Sequence, residues 1–254
     1  MPRFSANLTF LFKEYPFLER FEAAKDAGFE GVEVLFPYDD AASELLRRLK
    51  RADLPLVLIN TPPPNWTGGD RGFAAVPGLE ARFKSDFRRT LRFAQRLGPH
   101  HIHVMAGKAD GPDAKATFID NLKWAATEAP QQSLTIEPIN ADDMPGYYLN
   151  DFGKAADIIA AVDAPNVGLQ FDAYHAQKIT GDVMGTFDQV SSITRHIQVA
   201  SVPGRNEPDA VTIDYPAFFA QLDDIGYSGF VSGEYNPIGR TSEGLGWLKM
   251  KAKK

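Results

Sequence analysis

Short apolar runs and longer amphipathic segments alternate along this chain from one end to the other. That alternation restricts the fold more than any other feature of the sequence. Apolar runs lie at about 4–7, 31–36, 54–60, 101–106, 134–138, 166–171, 196–200 and 230–234. Their length and their β-branched and aromatic content predict strands. Between them helical spacing predicts helices at about 17–27, 42–51, 80–97, 114–127, 151–162, 186–193 and 215–225, with a last helix from near Thr241 that takes in Trp247 and Leu248. The clearest is 80–97. Phe83, Phe87, Leu91, Ala94 and Leu97 fall on one face at steps of three and four, the arginines fall largely on others, and Gly98 stands where a C-cap glycine ends a helix.

Eight strand and helix units in 254 residues point to a closed (β/α)8 TIM barrel, one domain spanning 1–254. The rival is an open doubly wound sheet. It lacks support, because Asn7-Leu8-Thr9-Phe10-Leu11-Phe12 after the first strand has no glycine fingerprint to cradle a dinucleotide. No domain linker or low-complexity tract interrupts the pattern. The longest irregular stretch, about 61–78, is rich in Pro and Gly and contains Pro62-Pro63-Pro64. In a barrel it is a βα loop on the active face and a candidate lid.

Composition narrows the chemistry. The formal net charge is -6, which disfavours a nucleic-acid partner. There is no cysteine, so disulfides and thiolate metal sites are excluded, and any metal must be held by oxygen or imidazole. No apolar stretch is long enough for a signal peptide or a membrane span, so the expectation is a cytoplasmic protein with no membrane partner.

In such barrels the polar residues at the C-terminal ends of the strands face the active site. The fifth run ends Ile136-Glu137-Pro138, the sixth Phe171-Asp172-Ala173, the seventh Ile197-Gln198-Val199 and the eighth Gly233-Glu234-Tyr235. One acid at a strand end is commonly a loop ion pair or a helix N-cap, and Asp172 alone would be read as a cap. Three acids and an amide on four consecutive strands form a stronger set. Gathered together, three like charges need a cation or sharply raised pKa values. These are hard oxygen donors, so Glu137, Asp172, Gln198 and Glu234 would take one divalent cation, Mg2+ or Mn2+ rather than Zn2+ or Cu2+, with Co2+ able to substitute.

Those residues carry a resemblance that runs nearly end to end. Arg3-Phe4-Ser5-Ala6-Asn7-Leu8, Gly28-Phe29-Glu30-Gly31-Val32-Glu33, Phe36-Pro37-Tyr38, Arg71-Gly72-Phe73-Ala74, Gly107-Lys108, Ile136-Glu137-Pro138-Ile139-Asn140, Phe171-Asp172-Ala173-Tyr174-His175, His196-Ile197-Gln198, Glu207-Pro208 and Gly233-Glu234-Tyr235 resemble the hydroxypyruvate isomerase family, within the xylose-isomerase-like barrels. The neighbouring 2-oxo-tetronate isomerases are similar throughout. Gln198 separates this chain from ketose epimerases, which usually place His there. The resemblance implies that Glu137, Asp172, Gln198 and Glu234 bind the metal, and that Glu137 and Glu234 also serve as catalytic acid and base. The expected reaction is an aldose–ketose type isomerisation of a small hydroxy-oxo acid through an enediolate, most simply hydroxypyruvate to tartronate semialdehyde. Relatives often associate, so a homo-oligomer is allowed.

Three further side chains are candidates for substrate binding. His175 follows Asp172 in what reads as the next loop, at a position that resembles a substrate-contacting His. Arg205 supplies a bidentate carboxylate clamp, and Lys108 is a second clamp candidate. Glu33 reads as a member of a structural ion pair. His100, His101 and His103 read as packing or surface residues. The chain departs from the family at Ile59-Asn60-Thr61-Pro62, where a His before the Asn is expected, so a substrate contact at position 59 is in doubt. The competing readings are a 2-oxo-tetronate isomerase, a ketose 3-epimerase or cyclitol dehydratase, an abasic-site endonuclease, and a non-catalytic sugar-acid binding protein.

Overall fold

The computed structural model describes residues 2–61 and 71–250. Its eight strands are β1 (Arg3–Asn7), β2 (Gly31–Glu33), β3 (Leu56–Asn60), β4 (His101–His103), β5 (Ser133–Ile136), β6 (Val167–Asp172), β7 (Thr194–Val199) and β8 (Phe230–Gly233). They pair in parallel and in sequence order, and β1 closes the ring on β8 with Phe4 opposite Val231 and Ser5 opposite Ser232. An open sheet would leave those two edges unpaired. The outer ring is α1 (Arg20–Asp26), α2 (Ala42–Ala52), α3 (Glu80–Leu97), α4 (Gly111–Glu128), α5 (Phe152–Val162), α6 (Ala173–Thr180), α7 (Val183–Val190) and α8 (Tyr215–Asp224).

Alternation along the strands sorts the side chains into two environments. Phe4, Ala6, Ile102, Leu134, Ile136, Leu169, Phe171, Ile197 and Val231 join the hydrophobic layer between strands and helices. Aromatic side chains dominate that layer: Phe4 meets Trp247 edge-on at 5.1 Å, and Phe171 meets Phe187 in the same way at 5.1 Å. The alternate positions Asn7, Glu33, His103, Thr135, Gln170, Asp172, His196, Gln198 and Ser232 are buried and polar. The barrel interior is therefore a polar column, in which Asn7, Glu33, Thr135, Gln170 and Gln198 are hydrogen-bonded into one network.

Several elements differ from the sequence expectation. β2 ends at Glu33 rather than Phe36, because its register against β3 shifts between Val32 and Glu33. β4 ends at His103, after which the chain turns to build the rim. Helix α6 was not foreseen, and it moves His175 from a loop onto a helix. Its first four residues are all buried, so it has no amphipathic stripe to betray it; the Asp172 carboxylate caps it by accepting from Tyr174 N at 2.9 Å. Helix α7 begins at Val183, capped by Asp182, and gives way to a 3-10 turn at Ser191–Ile193. The expected last helix is instead two 3-10 segments, Thr241–Glu243 and Leu245–Lys249, interrupted at Gly244. The Pro62-Pro63-Pro64 run and the rest of 62–70, and with them most of the lid expectation, lie outside the described residues.

Candidate active site

The strand ends bring Glu137, Asp172, Gln198 and Glu234 to one end of the barrel. Register sets this directly: Asp172 lies opposite Gln198 across β6 and β7, and Gln198 lies opposite Ser232, two residues before Glu234. All four side chains are buried.

The amides of Gln170 and Gln198 and of Asn7 tie the carboxylates together. Gln170 Nε2 donates to Glu137 Oε2 at 3.1 Å and to Gln198 Oε1 at 2.7 Å. Gln198 Nε2 donates to Glu33 Oε2 at 3.0 Å and also to Glu234 Oε2. Asn7 Nδ2 bridges the same two acids, at 3.1 Å to Glu33 and 2.8 Å to Glu234. The Arg205 guanidinium sits between the remaining oxygens: Nη2 is 2.9 Å from Asp172 Oδ2 and 2.7 Å from Glu234 Oε1. It reaches them from a backbone position with φ of 50°.

This packing shifts the protonation equilibria. Burial pushes the Glu137 carboxyl well above its usual range, and the neighbouring Glu234 and Asp172 charges push it further. Burial also raises Asp172, against the pull of Arg205. Glu234 is pushed up to about 8 by burial, again opposed by Arg205. Burial alone would lower the Arg205 guanidinium, but Glu234, Asp172 and Glu137 hold it above its ordinary value. Glu137, Asp172 and Glu234 thus surround the Arg205 guanidinium, with Glu33 tied to Glu234 through Asn7 and Gln198, and among the described residues this cluster is short of positive charge.

A divalent cation fits that deficit. Glu137, Asp172 and His175 each offer an atom, and these atoms all lie within 4.8 Å of one another. Glu137 Oε1 is buried and has no hydrogen-bond partner among the described residues. His175 directs Nε2 toward the acids, 3.6 Å from Asp172 Oδ2 and 3.9 Å from Glu137 Oε1, while its Nδ1 sits 2.7 Å from Asn140 Nδ2. Burial lowers the His175 imidazole well below its usual value, followed by the repulsion of Arg205, so it stays neutral, and the Asn140 donors at Nδ1 leave its proton on Nε2, aimed at the acids. Gln198 is the member of the expected ligand set that stands apart: its carbonyl oxygen faces Gln170, and its amide nitrogen faces the acids.

A cavity of about 310 Å³ opens over the cluster, lined among others by Asn60, His103, Lys108, Glu137, His175, Arg205 and Glu234. Lys108 thus stands in the wall, as a substrate contact requires. Close packing of two loops holds this rim: Ala75 N donates to Ala106 O at 2.7 Å, and Gly72, at φ of 85°, lies against the Met105 carbonyl where a Cβ would collide. A larger groove of about 580 Å³ lies on the outer wall between α1 and α2. Its two arginines both face Glu22, Arg51 at 2.6 Å and Arg48 at 4.0 Å, and among the described residues no convergent acid cluster like that of the barrel mouth lines it.

Two residues were misjudged or missed from sequence. His103 is no packing residue. It lines the cavity with Nδ1 at 3.6 Å from Glu137 Oε2, and burial pushes its imidazole down to about 3. Asn60 lines the same wall, whereas Ile59 packs in the hydrophobic layer, which removes position 59 from the site. Pairing of β3 with β4 sets Asn60 opposite His103, a long-range fact that local sequence does not carry. His101 and His100 are packing residues as expected: His101 contacts Ser133 at 2.9 Å and packs on His196, and His100 packs on Phe230; Glu33 meets His196 in the barrel interior but also accepts from Asn7 and Gln198 beside Glu234.

A family model described as a xylose isomerase-like TIM barrel matches residues 21–251. The chain is 46% identical to the 2-oxo-tetronate isomerase of Cupriavidus necator, over 98% of each protein. It is 38% identical to the hydroxypyruvate isomerase of Escherichia coli, again over 98% of each. A crystal structure from Brucella melitensis, described as an AP endonuclease of family 2, superposes with a TM-score of 0.94 at 43% identity and 98% coverage of both chains.

Proposed function

This chain belongs to the xylose isomerase-like TIM barrel family, and from that premise we propose that it is an isomerase of small hydroxy-oxo acids that moves a carbonyl to the adjacent carbon with Glu137 and Glu234 as acid and base. The observation that carries this reading is that the two glutamates, just past β5 and β8, border the same cavity and are joined through the Gln170 and Gln198 amides. A passive binding site has no need for two buried carboxylates so placed.

The reaction removes a proton from the hydroxyl-bearing carbon and returns one to its neighbour, while the hydroxyl proton passes to the former carbonyl oxygen. One glutamate, ionised, takes the first proton; the other delivers the second. Which of them starts depends on the face the substrate presents. Asn7 and Gln198 hold Glu234 in a fixed orientation, and Gln170 does the same for Glu137. Arg205, between Asp172 and Glu234, lies where negative charge grows on the substrate oxygens, and His175 lies beside it as a hydrogen-bond donor. Lys108, on the cavity wall, meets the substrate carboxylate. Glu137, Asp172 and Glu234 would hold a divalent cation, Mg2+ or Mn2+; when bound it supplies compensation for charge on two vicinal substrate oxygens and lowers the carboxylate pKa values. Gln198 would join as a ligand by turning its amide. With hydroxypyruvate the product is tartronate semialdehyde.

The Brucella neighbour raises the endonuclease reading. The -6 charge works against DNA, and among the described residues the gathered ligand group contains a single histidine. No described helix is long and apolar enough to cross a membrane. The test is an assay of hydroxypyruvate and 2-oxo-tetronate beside free ketohexoses and abasic-site DNA, each with Mg2+, Mn2+ or chelator. Turnover of the acids with metal is expected, with Glu137→Gln and Glu234→Gln each losing about 10²- to 10⁴-fold in kcat. Turnover of the sugars alone, cleavage of the DNA, or full activity in both variants would overturn the proposal.

A further inference from the structure

Three adjacent strand ends present unpartnered polar atoms to the cavity. Asn60 Oδ1 on β3, both ring nitrogens of His103 on β4 and Glu137 Oε1 after β5 are buried and have no hydrogen-bond partner among the described residues. Asn60 Nδ2 has only the Met105 sulfur, at 3.9 Å. Native interiors leave few such atoms unpaired, because each gives up its hydration with nothing in return. Glu137 Oε1 is the atom a cation would take, which leaves Asn60 and His103, on neighbouring strand ends of one cavity, as the groups that await a ligand.

The chemistry of the vacancy defines that ligand. A neutral imidazole offers one N–H and one lone pair, and the Asn60 and Glu137 oxygens offer only lone pairs. A carboxylate would meet two acceptors and is unsuited to this corner. A cation would be drawn into the acid cluster beside it. A hydroxyl matches, since it donates to Asn60 Oδ1 and accepts from the His103 N–H. The cations of the cavity wall, Lys108 and Arg71, leave the carboxylate a separate place. His103 Nδ1 lies 3.6 Å from Glu137 Oε2, so this corner adjoins the carbon that Glu137 would serve.

We infer that Asn60 and His103 form a hydroxyl-binding subsite that makes a four-carbon hydroxy-oxo acid the preferred substrate over a three-carbon one. The inference rests on the isomerase reading above. In hydroxypyruvate the carboxylate, the carbonyl and the reacting hydroxymethyl account for all three carbons, and nothing remains for this corner. A 2-oxo-tetronate carries one hydroxymethyl beyond the reacting pair. Its proton leaves C3, the O3 hydroxyl proton passes to O2 as the carbonyl moves from C2 to C3, a proton returns to C2, and the C4 hydroxyl stays bound to Asn60 and His103 throughout.

The experiment compares kcat/KM for 2-oxo-tetronate and hydroxypyruvate in the full chain and in Asn60→Leu, His103→Leu and His103→Gln variants, each checked for folding by thermal unfolding. The wild-type chain should favour the four-carbon acid. The ratio of the two kcat/KM values should fall about tenfold or more in each Leu variant, and His103→Gln, which keeps a donor and an acceptor, should retain more of it. A ratio that stays at the wild-type value in the Leu variants, or in Asn60→Leu alone if His103→Leu does not fold, would overturn the subsite while leaving the isomerase intact. A wild-type preference for hydroxypyruvate would do the same. Turnover of neither acid by the wild-type chain would overturn the isomerase reading itself, and the subsite with it.

Discussion

Arg205→Met removes the one permanent cation from the acid cluster while keeping much of the side-chain volume. The guanidinium makes two charge-assisted bonds, at 2.9 Å to Asp172 and 2.7 Å to Glu234, and the side chains of those partners are 0% and 8% exposed. Breaking a buried pair by deleting one partner costs about 3–5 kcal/mol. Glu137 and Glu234 already have raised pKa values and can shed part of that cost by taking up protons, so a loss of about 3 kcal/mol is expected at pH 8. For a chain of this size that is a fall of about 6–12 °C in Tm. At pH 5.5, where Glu234 is protonated, the loss should shrink. A divalent cation at 100 times its Kd should restore about 2.7 kcal/mol at pH 8. Thermal and urea unfolding of wild type and variant, with chelator or with MnCl2, at both pH values, provides the check. A loss under about 1 kcal/mol at pH 8, equal at the two pH values and blind to metal, would show that these carboxylates do not share an uncompensated charge.

Metal-free wild type should itself lose stability as pH rises. Glu234, raised from 4.5 to about 8, contributes stability that is complete below its unfolded value and lost through its folded one, and Glu137 and Asp172 shift in the same direction. His103 and His175 are depressed from 6.5 and act oppositely below that value, so the fall is read between pH 6.5 and 8; a Tm in chelator that is flat over that window would contradict the charge assignment. Gly72→Ala should cost about 1–3 kcal/mol, from a positive φ and a Cβ against the Met105 carbonyl. It should raise KM more than it lowers kcat, because Gly72 braces the rim that carries Lys108 and not the glutamates. A Tm within about 1 °C of wild type would refute the close approach.

Much of the architecture was legible in sequence because barrel strands announce themselves locally. Glu80–Leu97 declared its buried stripe and its Gly98 stop, and β1, β3, β6 and β8 fall within a residue or two of the apolar runs. Helix α6 was illegible for a physical reason: Ala173, Tyr174, His175 and Ala176 are buried on every side, so no polar face marks the period. The terminal segment differs for another reason: Gly244 divides what composition suggested was one helix into two 3-10 pieces.

The site divides along the same line. Sequence alone determined which strand ends carry acids, because an oxygen-bearing residue after an apolar run is a local pattern, and it determined that oxygen or imidazole must hold any metal, because the chain has no cysteine. Only the tertiary structure decided how those residues meet. Barrel closure carries Asn7 to Glu234, 227 residues away, and Gln198 to Glu33, 165 away. It turns the Gln198 carbonyl toward Gln170, sets Arg205 between two carboxylates, and exposes His103 and Asn60 to the cavity while sending Ile59 into the hydrophobic layer. Periodicity reports which face of an element a side chain occupies; the partner waiting on that face is fixed by strand register and by ring closure, which no local window of sequence contains.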